Sequence, residues 1–137
     1  TPPLTVVDVA WELGQVLAAP SWVADLLRRS PSVVVTATAT IPGLRRLEVA
    51  LSMLVHTRSV AAVLGPRRTK WARAVALSAG PLTTELIRGG RLVDVPIDAR
   101  LSARGLDSHA FPPSLLHAAT DLLHLTHDVP ARKEPLT

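Results

Sequence analysis

The chain has 137 residues and a mass of 14.6 kDa, enough for one hydrophobic core and too little for two ordinary domains. It is 47% hydrophobic and 19% charged, with a mean hydropathy of +0.28, which excludes a disordered polar chain. The formal charge is +4, from 15 Lys and Arg against 11 Asp and Glu. The absence of cysteine excludes a disulfide framework and thiolate chemistry. Aromatic residues at 3%, with no tyrosine, argue against a stacking platform for single-stranded nucleic acid.

Leu4-Thr5-Val6-Val7-Asp8 is a short β-branched run ending in an acid, and it predicts a buried strand. Residues 11–19 read as a loop or a broken helix. Pro20 then opens a helix with Trp22, Val23, Leu26 and Leu27 on one face, stopped by Ser30-Pro31. Residues 32–38 form a continuous β-branched run, the pattern of a strand buried on both faces of a parallel sheet. After Ile41-Pro42-Gly43, a helix is predicted over 44–55 from Leu44, Leu47, Leu51 and Leu54, with Arg45, Arg46 and Glu48 outward. Val60–Leu64 is a third strand, stopped by Gly65-Pro66. A helix is predicted over 70–78 and a second from Pro81 to Gly89-Gly90. Residues 91–96 are a fourth strand, 99–104 a turn, and Pro113 opens a last helix to about His124.

Strands alternating with helices of this length predict an α/β fold: a mainly parallel sheet of about four strands, with helices on both faces in three layers. The reading is a single domain over 1–126 with a flexible tail over 127–137. No apolar run reaches the roughly 18–20 residues that cross a bilayer. No basic-then-apolar leader opens the sequence. Arginine supplies 13 of the 15 cations, a bias typical of a GC-rich genome, so a bacterial and cytoplasmic setting is expected.

Ligands of open parallel sheets bind at the carboxyl ends of the strands. Those ends carry Asp8, Thr36 and Thr38, Gly65 and Arg67, and Pro96 and Asp98. An acid closing an apolar strand holds Mg²⁺ through water in nucleotide hydrolases, which makes Asp8 the candidate catalytic and metal-binding residue. The arginine pairs Arg28-Arg29 and Arg45-Arg46 read first as solvated helix ends, where cations favour the C-terminal dipole, whereas Arg67-Arg68, followed by Lys70, suits phosphates as well as it suits a helix end. His117 and His124 lie seven apart with Asp121 between them, a spacing open to metal binding but more ordinary for surface histidines. Trp11, Trp22 and Trp71 read as packing residues.

Four blocks together resemble the second half of a MinD/ParA-type P-loop ATPase: Val6–Trp11, Val33–Thr38, Val60–Gly65 and Val93–Asp98, with Ile41–Arg46 matching the helix start after the second block. The resemblance covers roughly residues 4–125. It implies a P-loop NTPase-like half domain in which Asp8 is the Walker-B acid, Thr36 and Thr38 lie near the γ-phosphate, Pro96 and Asp98 border the base, and Gly65 and Arg67 are further cofactor-binding candidates. The family's glycine-rich lysine loop is absent, Gly65 stands where the family has an asparagine, and Trp11 replaces a small residue after the Walker-B acid. The resemblance therefore implies ATP and Mg²⁺ only where the P-loop half is supplied, by an N-terminal half of the same protein or by another chain. A homodimer and nonspecific DNA binding are further partner expectations. The family's roles are partitioning, division-site placement and secretion. A non-enzymatic interaction or dimerisation module that has lost the nucleotide is the alternative.

Overall fold

A computed structural model describes residues 4–127. These fall into two units, the first ending at Ser30 and the second beginning at Pro31.

In the first unit, residues 4–10 have no regular secondary structure and no strand partner. The strand predicted for Leu4–Asp8 is therefore corrected. The sequence has the composition of a strand, but a strand exists only through its neighbour, and here Leu4, Val6 and Val7 are exposed. Two short helices follow, α1 (Leu13–Ala18) and α2 (Trp22–Arg29). Ser21 caps α2, its Oγ accepting from Ala24 N at 3.1 Å, and Ser30 closes it by donating N–H and Oγ–H to the Leu26 carbonyl. Arg28 and Arg29 occupy the last turn, where cations favour the helix dipole, and Arg28 lies 3.6 Å from Asp25. Trp11 and Trp22, expected in packing, are both exposed.

The second unit is built on a three-stranded parallel sheet in the order β1 (Val33–Thr38), β2 (Ser59–Leu64), β3 (Leu92–Val95). Val33 pairs with Ser59 and Thr38 with Leu64, while Ala61 pairs with Leu92 and Leu64 with Val95. The fold is thus α/β with a parallel sheet as expected, with three strands among the described residues rather than about four. Between β1 and β2 runs α3 (Ile41–Met53). Between β2 and β3 come a single 3₁₀ turn (Arg68–Lys70), α4 (Arg73–Leu77) and α5 (Pro81–Arg88). The helix expected over 70–78 is split between that turn and α4. Helices α3 and α5 pack on each other and share one face of the sheet. Two successive crossovers of one hand produce this arrangement.

The core lies on that face: Leu44, Leu47 and Leu51 of α3 and Leu86 of α5 pack over Ala61, Val63 and Leu92. The α3 spacing predicted from the leucines holds, and burying each leucine stabilises by about 2 kcal/mol. On the opposite face lies α7 (Pro113–His127), against β3 and β2 more than β1. The strand buried on both faces is therefore β2, whose residues Ser59–Val63 are all buried. The strand expected to be doubly buried, β1, exposes Val34, Thr36 and Thr38, because it is the edge that α7 covers least. Residues 99–104, read as a turn, form α6 (Ala99–Arg104), with Asp98 as N-cap.

Glu48, predicted to point outward, instead caps a neighbouring helix. Gly80, at the N-cap of α5, has no side chain to satisfy the first N–H groups. The Glu48 carboxylate reaches over from α3 and accepts from Leu82 N at 2.8 Å, Thr83 N at 2.9 Å and Thr83 Oγ1 at 2.8 Å. Burial pushes this carboxyl upward, but the three donors outweigh it and hold it below the ordinary glutamate range.

Candidate functional site

Three loops leave the carboxyl end of the sheet, and they differ in what their side chains do. After β1, the Thr38 and Thr40 hydroxyls lie 3.0 Å apart, and Thr40 Oγ1 accepts from Gly43 N at 3.1 Å as the N-cap of α3. Ala39 N donates to the Leu64 carbonyl at 2.8 Å and ties the loop to β2. After β3, Asp98 Oδ1 accepts from Leu101 N at 2.8 Å and caps α6. Both loops spend their polar side chains on starting the next helix.

The loop after β2 does otherwise. Gly65 takes φ +139, a conformation that favours glycine, and its N–H donates to the Val95 carbonyl at 3.0 Å. Pro66 and the 3₁₀ turn follow, and Trp71 Nε1 donates back to the Pro66 carbonyl at 3.0 Å, pinning the loop. Arg67, Arg68 and Lys70 make no ion pair and no side-chain hydrogen bond among the described residues. Three cations in four residues are thus left facing solvent on a fixed backbone.

This loop opens onto a groove of about 1210 Å³. Gly65 and Arg67–Lys70 form one end, β3 with Pro96 and Ile97 forms one side, and α7 forms the other. The wall contributed by α7 includes His117, Asp121 and Leu125, each four residues apart, and Ala118, three before Asp121, so they share one stripe of the helix. Asp94 also lines the groove, and its Oδ1 is buried with no hydrogen-bond partner among the described residues.

Of the residues predicted to form a site, Gly65, Arg67 and Pro96 are brought together here. Thr36 and Thr38 stand on the exposed side of β1, with Thr38 engaged by Thr40. Asp98 is a helix cap. Asp8 lies in the first unit, exposed and outside any strand, so the strand end that suggested a Walker-B acid is missing. His117, Asp121 and His124 share the groove, but no group of three His, Cys, Asp or Glu among the described residues could hold a metal ion. Arg45 and Arg46 sit in the first half of α3 and are exposed, so the helix-end account that suits Arg28-Arg29 does not extend to them.

The Arg67-Arg68-x-Lys70 cluster and the His117, Asp121 and His124 group of α7 are legible in the sequence, but that α7 faces the loop across a groove is not, nor is the place of Asp94 in it. A carboxylate between Val93 and Val95 in an apolar strand was the available signal. No helix among the described residues is long and apolar enough to cross a membrane. No family model, curated protein or solved structure matches the chain.

Proposed function

We propose that the second unit is a nucleotide-binding-type α/β domain of the MinD/ParA kind, contributing the base side of the site and an anion-holding loop. The observation that supports this most is the gathering of Gly65, Arg67 and Pro96 at the carboxyl ends of adjacent parallel strands, with Arg67, Arg68 and Lys70 beside them and without ion pairs among the described residues. Guanidinium and ammonium groups on a pinned loop offer several donors to phosphate oxygens with little left to reorganise. The outer edge of β1, which pairs with no other strand among the described residues, is where a further strand from an N-terminal half of the same protein, another chain or a second copy would add. The bacterial cytoplasm and the partitioning, division-site or secretion roles belong to this reading.

The residues present do not fit a Mg²⁺–triphosphate. Asp8 is not at a strand end, Asp98 is committed to α6, and no glycine-rich lysine loop occurs in the sequence. No hydrolytic step is therefore assigned to this chain. Titration calorimetry of the 137-residue chain with ADP and with pyrophosphate tests the proposal. Binding that falls at least tenfold in R67A/R68A supports it, and absence of any heat with either ligand overturns it for the isolated chain.

The second reading is an interaction module that has lost the nucleotide. It is favoured by the engagement of Thr38, Thr40 and Asp98 in capping, which removes them from a phosphate shell. A titration without heat is the outcome this reading expects.

A further inference from the structure

The geometry points to the outer edge of β3, with α7 as the facing wall, as a strand-addition site for an extended acidic segment of a partner protein. The edge is available. Ala61 N donates to the Arg91 carbonyl and Gly65 N to the Val95 carbonyl, so residues 91 and 95 turn their backbone groups toward β2. Alternation along the strand then turns the N–H and C=O of Leu92 and Asp94 outward, away from β2, the one strand that β3 pairs with among the described residues. These four groups form a short unpaired ladder, which ends at Pro96 for want of an N–H. Natural edges of this kind are usually blunted by charge or bulges, whereas β3 offers only Asp94 and the terminal proline.

The groove has the shape such a segment needs. One stripe of α7 runs along β3, and the space between holds about 1210 Å³. Val93 and the exposed Ile97 give it an apolar side for alternate side chains.

Charge selects the occupant. Arg67, Arg68 and Lys70 stand at one end of the groove, against Asp94 and Asp121 along it, so the unpaired charge is positive and concentrated. Acidic side chains or a terminal carboxylate at that end complement it. A nucleic acid would use the cations but neither the backbone ladder nor the apolar side. A second copy would bring its own basic loop and no acidic run. The inference shares Arg67, Arg68 and Lys70 with the nucleotide reading and differs from it in depending on the edge of β3 and not on a base site.

Fluorescence anisotropy of the full chain with a labelled (Glu-Val)₄ peptide tests it. Binding is expected to weaken at least about tenfold when the peptide becomes (Lys-Val)₄, and likewise in R67E/R68E/K70E. The peptide N-methylated at alternate residues supplies a control that needs no protein variant. Methylation in one phase removes the paired N–H groups and should cost about tenfold or more, while methylation in the other phase should be tolerated. No binding of (Glu-Val)₄, equal loss or equal retention in the two methylation phases, or preference for an oligonucleotide of equal charge overturns the inference. Sedimentation showing that the chain self-associates through this edge and excludes the peptide overturns it as well. Peptide binding without nucleotide binding would leave it standing alone.

Discussion

The loops after β1 and β2 leave the same end of the same sheet, one strand apart, yet they are built for different ends. In the first, Thr38, Thr40 and Gly43 satisfy one another and start α3. In the second, Gly65, Pro66 and Trp71 fix the backbone, while Arg67, Arg68 and Lys70 make no ion pair among the described residues. Side chains that cap a helix are already occupied. A loop held by its backbone and one tryptophan leaves its charges free for a ligand. The contrast predicts that substitutions in the first loop are read in stability and those in the second in binding.

The largest effect is expected from Gly43→Ala. A Cβ there would stand 2.2 Å from the Thr38 carbonyl oxygen and 2.4 Å from Thr38 Oγ1, so the backbone of β1 or the start of α3 must shift. Overpacking against backbone of this kind costs about 3 kcal/mol. Urea unfolding followed by circular dichroism checks it. A loss below about 1 kcal/mol would show that the loop is loose and would weaken the contrast.

Next comes Glu48, which does for α5 what Thr40 does for α3, but from a different helix. Glu48→Ala leaves Leu82 N and Thr83 N without their acceptor and is expected to cost about 2 kcal/mol. The pH dependence follows from the direction of the shift. Because the folded-state pKa lies below the ordinary value, the stabilisation is fully present above the ordinary glutamate pKa and is lost as pH falls through the folded-state value. Glu48→Gln should therefore be less stable than wild type at pH 7 and approach it in acid. Equal pH dependence of the two proteins would remove the carboxylate from the cap.

How much of this was legible in the sequence varies with how local the cause is. The α3 leucines, the β2 run and the Pro81 helix start are set by residues within one element, and each was found. Leu4–Asp8 shows the limit: its composition is that of a strand, but pairing is decided by a neighbour, and the described residues give it none. Glu48 failed for a related reason. A glutamate beside two arginines on a helix reads as a solvated face, and only the packing of α3 on α5 brings it to Gly80. Thr38 ends β1 while Asp98 lies three residues past β3 as the N-cap of α6, and spacing alone does not separate a cap from a ligand contact. Arg67 was legible because a cation cluster directly after Gly-Pro has few acids near it in sequence.

The smallest effect on stability, and the sharpest test of the contrast, is expected from the combined R67A/R68A/K70A variant. Exposed cations without ion pairs contribute little to folding, so the unfolding midpoint should move by less than about 0.5 kcal/mol in equivalent free energy. Trp71 should still hold Pro66, since that hydrogen bond uses the indole and the backbone. Binding of pyrophosphate or of an acidic peptide should fall steeply, with a salt dependence that flattens as the charges are removed. If the variant instead unfolds more easily than wild type by as much as Glu48→Ala, the three cations are structural, and the two loops differ in chemistry but not in purpose.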